Sequence, residues 1–156
     1  VSSFLSHSAL GPSRDKTQRP RPDDALAFTS RCALIGVFPT PRTNDMIEDI
    51  QSADNAPGHP FVRLIEAVRS VDLTTMEFAD WQRQTAVTSD NAHLRASTFW
   101  NADRALVFVA NSESAEQQSG HVTVDVTRFG WPGDEQRRTV TLPGHDFAGI
   151  LIARVK

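Results

Sequence analysis

HLRASTFW (residues 93–100), RALVFVA (104–110), HVTVDVT (121–127), RRTVTL (137–142) and FAGILIARV (147–155) are the stretches whose reading decides the fold. Each alternates apolar with polar residues or is rich in β-branched ones. Alternate side chains of a strand face opposite sides of a sheet, so such segments pack one face on a core. In the first, Leu94, Ala96, Thr98 and Trp100 share a face, with Arg95, Ser97 and Phe99 on the other. In the second, Leu106 and Phe108 point one way and Val107 and Val109 the other. Asn101-Ala102-Asp103 lies between them, and Asn and Asp bond their own main chain readily in turns. Val122, Val124 and Val126 make one clean apolar face, and Gly130, Pro132 and Gly133 mark the next turn. The last segment is apolar on both faces, which predicts a central position in its sheet. Short strands at this spacing, broken by turn residues, imply a small antiparallel sandwich.

Upstream the grain is helical. Asp23 or Asp24 can cap a short helix that buries Ala25, Leu26, Phe28 and Cys32. ALIGVF (33–38) is nearly all apolar and stops at Pro39 and Pro41, as expected of a strand covered on both faces. Residues 44–50 suggest a turn or two of helix behind Asn44. From Pro60 to about Val71, Phe61, Leu64, Ile65 and Val68 recur at helical spacing on one face. The fold class expected is therefore mixed: an α/β fragment followed by a small all-β antiparallel sandwich. Three segments follow, a loop-rich stretch at 1–22, a helix–strand–helix fragment with its connector at 23–85, and the sandwich at 86–156. Phe78 and Trp81, in the connector, are expected to plug the junction.

A chain of 156 residues is about one domain and long enough to bury a core. With 39% hydrophobic and 22% charged residues it has an ordinary globular composition. A net charge of −3 argues against nucleic acid as a partner, which needs a concentrated basic face. The basic stretch RDKTQRPR (14–21) is broken by Pro20 and bounded by Pro22, and reads as a solvated loop. No apolar run reaches membrane-spanning length, so no membrane partner is expected. Cys32 is the only cysteine; it has no intrachain disulfide partner and reads as a small buried hydrophobe.

The order of DDALAFTSRC, ALIGVFP, an acidic loop, HPFVRLIEAVRSV, MEFADWQRQ and then HLRASTFWNADRALVFVANSES resembles the C-terminal end of glycoside-hydrolase-like proteins. In those a (β/α)8 barrel is followed by an accessory antiparallel β-sandwich. ALVFVANSES is similar to the sandwich strand that ends in Asn before a loop of small polar residues. The resemblance implies that ALIGVFP is the last barrel strand and HPFVRLIEAVRSV the last barrel helix. It further implies the catalytic barrel of a parent protein as partner, and carbohydrate as ligand. The other barrel strands have no counterpart here. Since a barrel site is assembled from several strand ends, no catalytic residue carries over and the chain alone is expected to be non-catalytic. A free-standing sandwich module that binds polysaccharide or protein is the alternative.

Glycoside hydrolysis needs two opposed carboxylates. Glu48 and Asp49, nearest the end of the expected strand, are adjacent and would point apart. Arg42, just past Pro39 and Pro41, is the better ligand-binding candidate. Among the indoles, Trp100 reads as core and Trp81 as a junction seal. Trp131, in the turn RFGWPG, is the one expected nearest the surface and the candidate sugar platform, although a loop anchor packed under the sandwich is the stronger reading. His7, His59, His93, His121 and His145 lack ligand spacing, so neither a metal nor another cofactor is expected. No G-x-S-x-G elbow occurs. Self-association is expected through the apolar flanks of 33–38 and 60–71 if nothing covers them.

Overall fold

The computed structural model describes residues 22–38 and 58–155. The segment before Pro22, Arg42, the expected turn at 44–50, and Glu48 and Asp49 lie outside the described residues. Among the described residues are two helices, α1 (Pro22–Ile35) and α2 (Pro60–Arg69). Seven strands follow: β1 (Glu77–Ala79), β2 (Val87–Ser89), β3 (Arg95–Trp100), β4 (Arg104–Ala110), β5 (Gln118–Val124), β6 (Gln136–Leu142) and β7 (Phe147–Ala153). They form a four-stranded sheet in the order β1-β3-β4-β7 and a three-stranded sheet in the order β2-β5-β6. Every pairing is antiparallel. The fold class is thus mixed, helical first and then an antiparallel two-sheet structure.

ALIGVF is not a strand. Ala33, Leu34 and Ile35 are the last turn of α1, and Gly36 follows at φ 68° in the left-handed region. The Val37 N–H donates to the Cys32 carbonyl at 3.0 Å, the bond that closes a helix with a Schellman cap. The run is apolar because Ala33 and Leu34 pack on the sheet and Val37 folds back beneath the helix end, where it is buried. Gly36 is required twice over. Besides its backbone angle, a β-carbon there would sit 2.6 Å from the Phe78 ring.

α2 starts where the sequence places it. Pro60 opens the first turn, and His59 Nδ1 accepts the Phe61 N–H at 3.3 Å as the cap. Phe61 and Leu64 are buried.

The two faces of the four-stranded sheet carry separate cores. Ala105, Val107 and Val109 of β4 join Leu94, Val122, Val124 and Ile152 between the sheets. Leu106 and Phe108 join Phe99, Phe147, Leu34 and Leu64 beneath the helices. The molecule is therefore three layers deep: helices, four-stranded sheet, three-stranded sheet. A hydrogen bond from Ser97 Oγ to the Ala33 carbonyl, 2.8 Å and buried, ties β3 to α1. Phe78 packs 4.4 Å from Phe99 between ring centroids, and the Trp81 N–H donates to the Leu34 carbonyl at 3.3 Å. The two aromatics seal the junction, as their position in the connector suggests.

Three expectations change. The β part begins at Glu77, because β1 pairs with β3, so a boundary at residue 86 would cut through a sheet. β7 is an edge strand, not a central one. One apolar face, Ala148, Ile150 and Ile152, packs on the core between the sheets, while on the other Phe147 is buried under the helices and Leu151 is 50% exposed. Alternation says nothing about a strand's neighbours within the sheet. The flanks expected to be exposed for self-association are largely covered by the chain itself: Ala33, Leu34, Val37, Phe61 and Leu64 are buried, while Ile35 stays 43% exposed.

Cys32 lies in the core beneath the helices, and burial pushes its thiol up to about 12. A thiolate is the reacting form, so the native thiol is nearly inert at pH 8. Alkylation should therefore be slow in buffer and become fast through the unfolding transition. Rapid labelling of the folded chain would contradict this placement.

Candidate functional site

Trp131 is buried, with 4% of its surface exposed. Asp125 caps a 3-10 turn at Val126–Phe129, and Gly130, at φ 73°, reverses the chain behind it. The reversal carries the indole under the sheets, where it meets Phe129 edge-on with centroids 5.3 Å apart. Its Nε1–H donates to the Asn101 carbonyl at 3.0 Å. Trp131 is an anchor between two turns and has no free face for a sugar. Trp100 stacks on Phe129 at 5.6 Å and belongs to the inter-sheet core.

Trp81 is half-buried, as Trp100 is, and it is the indole that borders a cleft. It walls a cleft of about 200 Å³ at the mouth of the sandwich, between β2 and β3. Gln84, Ser89, Asn91, Leu94, Arg95 and Val122 belong to its lining. The Arg95 guanidinium lies over the indole, 4.0 Å from its centroid, and is held there by Glu113 at 2.7 Å. Such a stacked cation keeps both groups oriented toward the opening. The rest of the rim is fixed by bonds inside the protein. The Gln84 amide bonds both backbone groups of Val87, at 2.8 and 3.0 Å. The Asn91 amide donates to Gln118 and Ser119 and accepts from the His93 N–H.

No carboxylate is among the residues that line this cleft. The cleft is smaller than the ~300–1,000 Å³ of a typical small-molecule site. Its polar lining includes a guanidinium and the amides of Gln84 and Asn91, beside the Trp81 indole. It offers neither the carboxylate pair that glycoside hydrolysis requires nor an activated nucleophile.

Beyond the rim, Asp90 joins β2 to β5. Its Oδ1 accepts the His121 N–H at 2.6 Å, its Oδ2 lies 2.9 Å from His121 Nδ1, and Arg137 approaches to 3.9 Å. A Ser-His-Asp relay needs a hydroxyl on the imidazole, and among the described residues no serine hydrogen-bonds to His121. Nor do three or more His, Cys, Asp or Glu converge to hold a metal among the described residues. Sequence reading singles out neither Trp81 with Arg95 nor Asp90 with His121. Each pair is assembled by strand pairing or by the connector's path, so no local motif announces it.

Asp90, Asp72 and Asp125 share a pattern. Each carboxyl is held below the usual carboxylate range, Asp90 first by the His121 backbone N–H, Asp72 by the Thr74 hydroxyl, and Asp125 by the Thr127 hydroxyl. A carboxyl more acidic in the folded chain than in the unfolded one stabilises the fold above the unfolded value. That contribution is lost as pH falls through the folded value. The melting temperature should therefore be flat with respect to these groups above about pH 5 and decline below about pH 4. Asp125→Asn should lower it at pH 7 and shrink the difference from wild type at pH 3. An equal deficit at both pH values would separate this carboxyl from the acid limb.

Comparison with protein-family models, with curated proteins and with solved structures found no match.

Proposed function

We propose that this chain is a non-catalytic C-terminal region of a glycoside-hydrolase-like carbohydrate-active protein, with the β-sandwich supporting the catalytic barrel. The observation that carries this reading is the helical layer fused to the sandwich through the core of Phe99, Leu106, Phe108 and Phe147. Helices so attached link whatever precedes them rigidly to the sheets, as a supporting tail domain must. The helical state of ALIGVF alters the form of that support. At 33–38 the chain donates no strand to a barrel, so it acts by packing against its partner.

The second reading, a free-standing binding module for polysaccharide or protein, draws on the cleft at Trp81 and Arg95. One set of experiments separates the two. The purified chain is assayed on a panel of aryl glycosides and tested for retention on insoluble polysaccharides, beside Trp81→Ala. The main reading expects no turnover and no retention. Retention lost in Trp81→Ala would transfer the assignment to the binding module. Turnover by the chain itself would end the non-catalytic reading. Trp131→Ala is no control for binding, since removing a buried anchor perturbs the fold.

A further inference from the structure

The edge of β7 carries an inference independent of the functional reading above. The Asn111 N–H donates to the Asp146 carbonyl at 2.9 Å, and the Arg154 N–H to the Asp103 carbonyl at 2.8 Å. These bonds fix the parity of the strand. Even-numbered residues of 146–154 turn their backbone groups toward β4, and Phe147, Gly149, Leu151 and Ala153 turn theirs outward. The first outward pair is closed by side chains. The Phe147 N–H donates to Asp146 Oδ1 at 2.7 Å, and its carbonyl accepts from Arg63 Nη2 at 2.5 Å. Arg63 and Asp146 are themselves paired at 2.7 Å. Gly149, Leu151 and Ala153 receive no such cap among the described residues.

An open edge of this kind is usually blunted by a charge, a proline or shortness. β1 and β2, the edges of three residues each, are short. β6 carries Arg138 on the same row as the inward-facing Val140 and Leu142. β7, FAGILIA, contains neither charge nor proline over seven residues, and Leu151 is 50% exposed.

We propose that this edge pairs with the β7 edge of a second copy of the chain, antiparallel about a two-fold axis at Leu151. The cap at Phe147 selects the register. Centring on Leu151 sets Gly149 against the partner's Ala153 and Leu151 against the partner's Leu151, using all three open backbone pairs. Centring on Ile150 would set Ala153 against the partner's Phe147, whose backbone groups are already taken. The chosen register also suits the side chains. The two half-exposed Leu151 side chains meet, Gly149 and Ala153 leave room at either end, and Ile150 lies beside the partner's Ile152. Charge agrees as well: Arg154, opposite the partner's Ala148, lies diagonally across from the partner's Asp146, within reach of a long side chain. The two four-stranded sheets become one of eight strands. A seam this narrow is below the ~800 Å² per partner of a standard interface, so the dimer is weak and its population follows concentration.

The test uses the full chain in a dilution series by sedimentation velocity, with amide hydrogen exchange at the two ends of the series. The expected result is a monomer–dimer equilibrium. At high concentration the amides of Gly149, Leu151 and Ala153 should gain about tenfold protection, while those of Ala148 and Ile150 stay unchanged. Leu151→Lys places a charge on the seam and should abolish the concentration dependence, whereas Leu151→Ala keeps the fold and weakens it. A monomer throughout the series would overturn the proposal. So would a dimer indifferent to Leu151→Lys, or growth beyond the dimer, which a closed two-fold contact forbids.

Discussion

Phe108→Ala should remove about 3–5 kcal/mol of stability, the usual cost of emptying an aromatic site in a core. The ring is fully buried on β4, edge-on to Phe99 and Phe147 with centroids 6.3 Å away in both cases. It stands across from Gly149, where a β-carbon would lie 3.4 Å from its edge, so the neighbouring strand has left space for it. Gly149 has no side chain with which to refill that space. Against a total stability of about 5–15 kcal/mol, the loss is a large fraction. Urea unfolding should show a lower midpoint, and Phe108→Leu, which keeps most of the volume, should cost markedly less. The helices rest on this ring's layer, so Cys32 should also alkylate faster in Phe108→Ala. A change under about 1 kcal/mol would mean that the core beneath the helices is not packed as described.

Asn111 should rank next. The side chain is fully buried at the end of β4, and its Nδ2 donates to the carbonyls of Glu116 and Pro143 at 2.8 and 3.0 Å. It pins the loop after β4 to the turn before β7. The loop and turn fit closely, since a β-carbon on Gly144 would be driven into the Ala115 backbone. Asn111→Ala leaves two carbonyls without their donor, at about 1–3 kcal/mol for one that stays buried. The whole should come to about 2–4 kcal/mol, because Glu116 and Pro143 are both exposed residues and water can reach their sides. Asn111→Asp is the sharper variant. It keeps the shape and replaces the two donors by oxygen facing oxygen, so its stability should fall below that of Asn111→Ala. The reverse order in urea unfolding would rule out the pin.

What is legible in the sequence follows from how much pattern each element carries. β3 to β7 are readable because six or seven residues of alternation commit their faces; Leu106 and Phe108 lie under the helices and Val107 and Val109 between the sheets, as their parity requires. β1 and β2, of three residues, carry too little pattern to be seen. ALIGVF misleads for a different reason. A short apolar run is the same string whether it is a covered strand or a helix end with its cap, and Gly36 suits both. The edge position of β7 is hidden because alternation reports the faces of a strand and is silent about its edges. Trp131 reads as the indole nearest the surface because turns usually lie there; Gly130 turns the chain inward instead. The cleft residues are invisible as a set, since Trp81 and Arg95 meet only after β3 has paired.

β4 has no residue from Ala105 to Ala110 that reaches water, and this bears on how its alignment with β3 and β7 is chosen. In a half-buried strand, slipping by one residue is punished by turning polar groups inward. β4 has no polar side chain there to enforce that penalty. Size enforces it instead. A slip would push Leu106 and Phe108 into spaces fitted to Ala105, Val107 and Val109, and leave the helical side underfilled. The strand is also clamped at both ends by amides, Asn101 closing the turn through the N–H groups of Asp103 and Arg104, and Asn111 holding the exit. Two asparagines and a graded set of volumes thus set the alignment of the whole four-stranded sheet. Over time this strand should be the segment where substitutions are accepted only in compensating sets.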